Sequence, residues 1–305
     1  MLTYLVRRLL LLFLVLFGVV TLVFFLIHLI PGDPVDIMLG DHALAADKDV
    51  LREAMGLDRP LGGQYLGYLG DLLHGDLGQS IHSRRPVQAE IWERFPATVE
   101  LMLGAMLVAL LMALPLGIIS ALRPYGWLDG SSMLISFLGI SIPNFWLGPM
   151  LIMVFSVQLG WLPVNERGGI EHLILPAITL GTAMAAMLSR MIRASLLEVL
   201  DEEYITNARA KGLPERLVIF KHALRNALIP VITIIGLQVG VLLSGAIITE
   251  AIFDWPGLGS LLLEGIYSRN YPLVQGCILV IATVYVLVNL VTDIAYAWAD
   301  PRVRL

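Results

Sequence analysis

Glu203-Tyr-Ile-Thr-Asn-Ala-Arg-Ala-Lys-Gly-Leu-Pro-Glu-Arg216, continued by Leu217-Val-Ile-Phe-Lys-His-Ala-Leu-Arg-Asn-Ala-Leu-Ile-Pro230, is the one long polar interruption in the second half of a chain that otherwise reads as membrane. It carries Arg209, Lys211, Arg216, Lys221 and Arg225, with Arg190 and Arg193 just upstream. Lys211-Gly-Leu-Pro214 spells a helix stop and a restart. Glycine suits the left-handed residue past a helix end, and a proline soon after opens the next helix rather than continuing the last. The stretch therefore predicts a short helix, a sharp turn, and a second helix leading into an apolar span. In that second helix Leu217, Phe220, Leu224 and Leu228 fall on one face at spacings of three and four, and Lys221 and Arg225 on another. The expectation is a helix with its leucine face packed on the protein and its basic face in the cytoplasm.

Composition sets the class. Hydrophobic residues make up 57%, charged residues 15%, and the mean hydropathy is +0.80, whereas a soluble domain carries about 25% charged residues. The net charge of −5 decides nothing about nucleic acid, but the basic residues hug membrane ends and form no patch interleaved with aromatics, so no nucleic-acid partner is expected. Cys277, the single cysteine, has no internal partner for a disulfide or a metal site and reads as core packing.

The expected fold is an all-α integral membrane protein with six transmembrane helices and one large external loop after the first. Residues 1–32 form the cytoplasmic N-terminus and span one: the uncharged run from Leu9 to Gly32 is too long for a signal peptide and ends in Ile-Pro-Gly-Asp-Pro34. Residues 33–96 form the external segment, with eleven acidic residues against six basic ones. Gly56-Leu-Asp-Arg-Pro60, Gln64-Tyr65 and Gly75-Asp-Leu-Gly78 are read as turn signals between short helices. Its carboxylates read as a solvated face, since no nucleophile or histidine pair accompanies them. Residues 97–299 are the core, with spans at 98–122, 131–159, 173–192, 227–249 and 273–296, a cytoplasmic loop at 193–226, and a cytoplasmic tail at 300–305. Pro143 is expected to kink span three, and Trp161 to mark the outer interface.

Charge distribution tests this order. The inner segments hold Arg7, Arg8, Arg123, Arg190, Arg193, Arg209, Lys211, Arg216, Lys221, Arg225, Arg302 and Arg304. The short outer loops hold Arg167 and Arg269, and the long external segment escapes the rule. Both termini are accordingly placed in the cytoplasm.

Chemistry-bearing motifs are missing. None of the three lysines, Lys48, Lys211 and Lys221, follows a glycine, so a phosphate-binding Gly-Lys-Ser/Thr loop is ruled out. No His-Glu-x-x-His helix, cysteine pair or Gly-x-Ser-x-Gly elbow occurs. The chain is therefore not expected to be an enzyme or to bind a cofactor. ATP-driven transport would need a separate subunit.

The loop resembles that of permease subunits of ABC importers in the dipeptide/oligopeptide/nickel branch. Tyr204, the run Ala208-Arg-Ala-Lys-Gly212, and His222 to Pro230 match that family's pattern, with Asn207 where alanine is usual. Thr206-Asn207-Ala208 stands where the broader importer signature has Glu-Ala-Ala. Gly56–Leu61, Gln64-Tyr65, Gly75–Ser80, the exit Pro31-Gly-Asp-Pro34 and Trp255–Gly259 also look like the family. Asn270 replaces its more usual aspartate.

The resemblance implies one permease of a binding-protein-dependent importer in the bacterial cytoplasmic membrane, with peptides as cargo. Tyr204, Ala208, Arg209, Ala210, Lys211 and Gly212 would then form the coupling helix that sits in a groove of the ATPase subunit. It also implies a second, different permease chain, two ATPase subunits that bind ATP and magnesium, and an external solute-binding protein docked partly on 33–96. Spans three and five would border the pathway, making Asn144, Gln238 and Ser244 its candidate lining. Gly236, Gly240 and Ser244 form a small-residue ladder that reads first as close helix packing, with the partner permease one surface it suits. Asn289 and Asp293 are the polar residues of span six, and a structural partner for Asp293 is favoured over a proton relay.

Three rivals remain at this stage. An ion-coupled secondary transporter would need an intramembrane ion site or inverted repeats. A membrane enzyme would need converging catalytic side chains, and an assembly subunit would have no use for a coupling loop. Within the family, a nickel-chelate or glutathione importer is the other reading.

Overall fold

A chain that enters hydrocarbon must satisfy its backbone internally, and helices do this segment by segment. The computed structural model describes residues 2–29, 35, 44, 48–49, 52–53 and 57–299. Among these the regular structure is helical, with one isolated bridge between Gln79 and Pro86. The span-one exit at 31–34 and the tail 300–305 lie outside the described residues.

The helices are α1 (Leu2–Leu29), α2 (Leu61–Leu73), α3 (Val87–Leu122), α4 (Trp127–Ser141), α5 (Asn144–Leu151), α6 (Ile170–Leu200), α7 (Glu203–Ala210), α8 (Glu215–Leu217), α9 (Leu224–Ile252), α10 (Leu258–Tyr267) and α11 (Tyr271–Ala299). Wider π-helical turns continue α5 over Ile152–Gln158 and join α8 to α9 over Val218–Ala223. Val87–Leu122, Ile170–Leu200, Glu215–Gly240 and Tyr271–Thr292 are each long and apolar enough to cross a membrane, and α1 contributes a shorter apolar stretch, Leu10–Phe25.

The chain divides into two compact units. In the first, Ala97–Pro256 with Tyr285–Leu305, α6 is the central element: Leu180, Met184, Leu188 and Ile192 are buried on it against Leu101, Ala105, Ala109 and Ala113 of α3 and Val231, Leu242 and Ala246 of α9. Alanines spaced by four on α3 give a flat face on which α6 lies close. A Cβ on Gly181 would stand 2.6 Å from the Ala105 carbonyl oxygen. In the second unit, Leu2–Pro96 with Gly257–Val284, α2 packs its aromatic residues on α1. The Phe24 ring lies 5.2 Å from Tyr65 and 5.6 Å from Tyr68, and the Tyr65 and Thr21 hydroxyls are 2.6 Å apart.

Four expectations change. Span three is broken, not kinked: α4 and the α5 segment through Gln158 meet at 101°. Pro143 has no N–H, and it holds the preceding Ile142 in extended backbone (φ −89°, ψ 115°), so the helix ends there and restarts at Asn144. At 15 residues, α4 reaches about 22 Å, short of the roughly 30 Å hydrocarbon core. Gln64 and Tyr65 lie inside α2, because Pro60 starts the helix before them. The segment expected to be the outer loop before span six contains α10, whose Leu258, Leu261 and Leu262 are buried.

The fourth change concerns the helix after Pro214. Leu217 and Phe220 are 37% and 55% exposed, and the buried face is Val218, Ile219, Ala223 and Ala227. The π-helical turn adds a residue to the local repeat, so the 3.6-residue projection fails at Leu217 and Phe220, whereas Leu224 and Leu228 are half-buried and Leu228 packs on the core as expected.

Candidate functional site

The coupling candidate is built by local rules. α7 ends in a Schellman motif: Gly212 N–H donates to the Arg209 carbonyl at 2.9 Å and Leu213 N–H to the Ala208 carbonyl at 3.4 Å. Gly212 takes φ 75°. A Cβ there would meet nothing within 4 Å, so glycine is required by the backbone and not by space. Pro214 then starts α8. Across the turn the Arg209 guanidinium donates two hydrogen bonds to the Glu215 carboxylate, at 2.8 and 3.3 Å. That bond raises the Arg209 pKa and holds Glu215 below its ordinary range.

α7 is anchored through two residues. Ile205 is fully buried and Ala208 is 8% exposed, in a cluster with Ala121, Leu196, Val218, Ala223 and Ala227. Burying Ile205 stabilises this arrangement by about 1.5–3 kcal/mol. At the edge, Asn226 Nδ2 donates to the Tyr204 hydroxyl at 2.7 Å. Of the six sequence candidates, Ala208 therefore faces its own chain, whereas Tyr204, Arg209, Ala210, Lys211 and Gly212 are exposed together. Phe220 and Leu217 add apolar surface to the same polar segment.

The pathway candidates are not gathered into one cluster. Asn144 opens α5 immediately after the break and is half-buried. Gln238, on α9, donates through Nε2 to the Met187 sulfur on α6. Ser244 lies on α9, with its side chain outside the described residues, and the same holds for Asp293 on α11. The glycine ladder is close packing within the chain: a Cβ on Gly236 would fall 1.9 Å from Thr292 Cγ2, and one on Gly240 1.9 Å from Tyr285 Cε2, both on α11.

Three polar features escaped the sequence reading. Glu250 is fully buried and accepts from the Thr98 hydroxyl at 2.7 Å; the reading closed span five one residue short of it. Trp255, also fully buried, donates its indole N–H to the Ala97 carbonyl at 2.7 Å. Arg193, read from the sequence only as one of the inner basic residues, forms a bidentate ion pair with Asp129, at 2.8 and 2.7 Å. Opposite charges 64 residues apart leave no periodic signal that would pair them.

In the second unit, Asn270 is 2% exposed. Its Oδ1 accepts from Ile81 N–H at 3.1 Å, and its Nδ2 donates to the Ser80 hydroxyl at 2.7 Å. The asparagine thus uses its amide oxygen as acceptor and its amide nitrogen as donor to neighbouring residues of one loop. A cavity of about 300 Å³ opens beside it, lined by His82, Arg85, Glu90, Glu93, Arg94 and Glu264 among others.

Among the described residues, four helices long and apolar enough to cross a membrane, a broken apolar pair and an exposed polar helix-turn-helix define a polytopic α-helical membrane protein. The family described as binding-protein-dependent transport system inner membrane component matches residues 113–305, and its N-terminal counterpart matches 1–102. The chain belongs to this family, the inner-membrane permeases of ABC importers.

Among its relatives is the di/tripeptide transport system permease protein DppB of Pseudomonas aeruginosa, 48% identical over 335 residues and covering 100% of this chain and 99% of that one. The dipeptide transport system permease protein DppB of Alkalihalophilus pseudofirmus is 44% identical, with 100% of both chains covered. The glutathione transport system permease protein GsiC of Escherichia coli is 46% identical over 304 residues, covering 100% and 99%. Among solved structures, the MetNI methionine ABC transporter in inward-facing form matches with a TM-score of 0.59 at 20% identity, covering 69% of this chain and 96% of that one. That likeness concerns the fold.

Proposed function

We propose that this chain imports small peptides across the bacterial cytoplasmic membrane as one of two different permeases in a binding-protein-dependent ABC importer. The observation that carries this reading is full-length identity of 44–48% to permeases named for di- and tripeptides and for glutathione, itself a tripeptide.

In this account six spans place both termini inside, and residues 33–96 face outward. A peptide-loaded solute-binding protein docks on that outer segment, where the cavity beside Asn270 offers charged groups of both signs. Two ATPase subunits bind ATP with magnesium and close. The exposed surface of α7 and its turn (Tyr204, Arg209, Ala210, Lys211, Gly212) sits in their groove, while Ile205 and Ala208 transmit the motion inward. Asn144, Gln238 and Ser244 line the route that opens in alternation to either side. Buried attachment on one face and free polar surface on the other is what a transmitting helix requires.

The test is uptake of a labelled dipeptide, and in parallel of glutathione, by proteoliposomes holding this chain, its partner permease, the ATPase subunits and the binding protein. ATP-dependent accumulation of either supports the proposal. Accumulation driven by an ion gradient without ATP would return the secondary transporter to first place.

A further inference from the structure

The α4–α6 seam is lined by polar and small residues. Asp129, Ser132, Ser136 and Gly139 follow each other on α4 at steps of three, four and three, and the first three are all at most 5% exposed. Opposite them on α6, Arg193 clamps Asp129 through both oxygens, at 2.8 and 2.7 Å. The Ser189 and Ser136 hydroxyls share a hydrogen bond of 2.7 Å. A Cβ on Gly139 would stand 3.2 Å from both the Ala186 Cβ and the Thr182 carbonyl oxygen.

The Asp129 carboxylate is satisfied on every side. It also accepts from the Ser120 hydroxyl at the end of α3 and from Tyr125 N–H at 2.8 Å. Tyr125, the residue so held, is in the left-handed region at φ 62°, a conformation that a residue other than glycine keeps only when its surroundings fix it. Three points of the chain, Ser120, Tyr125 and Arg193, thus converge on the Asp129 carboxylate.

A bidentate pair between the buried Asp129 and the half-buried Arg193 has one register, which apolar contacts alone do not impose. Any slip leaves a charge buried without its partner. α6 runs through Asp201 and Glu202 directly into α7, and α4 leads to the break before Asn144.

From this geometry we infer that Asp129 and Arg193 are positioning residues for transport. They lock α4 to α6, so that motion received at α7 carries α4 with it as one body. This rests on the coupling role proposed above for α7, and the experiment separates the two.

In the assembled transporter, Cys277, the single cysteine, is replaced by alanine and S136C/S189C is introduced. Disulfide formation is measured by mass spectrometry without nucleotide and after trapping with ATP and vanadate. The lock predicts the same extent of cross-linking in both states. Cross-linking in one state alone overturns it, whatever the cargo or the docking site of α7. The second arm adds D129N and follows uptake of a labelled dipeptide relative to the Cys277→Ala/S136C/S189C parent. Reduced, D129N is expected to lower uptake at least tenfold with ATP hydrolysis kept within twofold. Oxidised after assembly, the disulfide replaces the lock and restores uptake to within threefold. A role confined to folding would not respond to oxidation after assembly, so a deficit that oxidation leaves in place overturns the inference, as does undiminished uptake by reduced D129N. If D129N fails to assemble, the cross-linking arm alone decides.

Discussion

The Asn226 amide donates to the Tyr204 hydroxyl across 2.7 Å, and this bond ties the first turn of α7 to the start of α9. Both residues are exposed, so the bond orients the helix more than it stabilises the chain. Tyr204→Phe is expected to cost about 0.5–1 kcal/mol and to lower uptake a few-fold. Asn226→Ala should have a similar effect, and the double variant should be no worse than either single one. A double-mutant cycle on uptake checks this; fully additive losses would mean that the two residues act apart.

Gly212 gives a sharper prediction. Since a Cβ there meets open space and φ is 75°, substitutions should rank by tolerance of left-handed backbone and not by size. Gly212→Asn should retain most of the coupling, whereas Gly212→Val strains the turn by about 1–2 kcal/mol and should lower uptake per ATP hydrolysed. Measuring both rates in proteoliposomes distinguishes conformation from bulk.

How far the sequence carries depends on how local the determinant is. The Lys211–Pro214 turn was legible because a glycine and a proline specify a helix end through backbone terms alone. The membrane character and most helices followed from apolar length. The break at Pro143 was visible as a proline, but its 101° angle depends on packing of α5 against α6 and α9. The exposed Leu217 and Phe220 were misread because a π-helical turn changes the period without a compositional mark. The Asp129–Arg193 pair was invisible for a different reason: the chain brings 64 residues of separation to one point only after α4 and α6 have packed.

Packing of α9 on α11 can be tested by exchange. Gly240→Ala places a methyl group against the Tyr285 ring and should destabilise the folded chain by about 1–3 kcal/mol through overpacking. Adding Tyr285→Ala should recover part of that loss by opening the space. Thermal unfolding in detergent, followed by monomer recovery on size exclusion, reads the difference.

The Arg209–Glu215 pair predicts a pH response with a definite sign. Arg209 holds the Glu215 carboxylate below its ordinary range, so whatever the pair contributes is complete above the usual glutamate value of about 4.3 and is lost as pH falls through the lowered one. Uptake between pH 6 and 8 should therefore be insensitive to this group, and Glu215→Gln should remove only an acid-side decline. Because both side chains are exposed, 42% and 56%, the effect is small. A pH profile of wild type and variant tests it.

The proposed coupling role requires that the exposed face of α7 meet the ATPase subunit. A photo-cross-linking residue at Thr206, on that exposed face, is the direct probe, with the buried position Ile205 as control. The account predicts an adduct of this chain with the ATPase subunit from position 206 and none from 205. Adducts from position 206 with lipid alone, in a transporter that hydrolyses ATP, would contradict it.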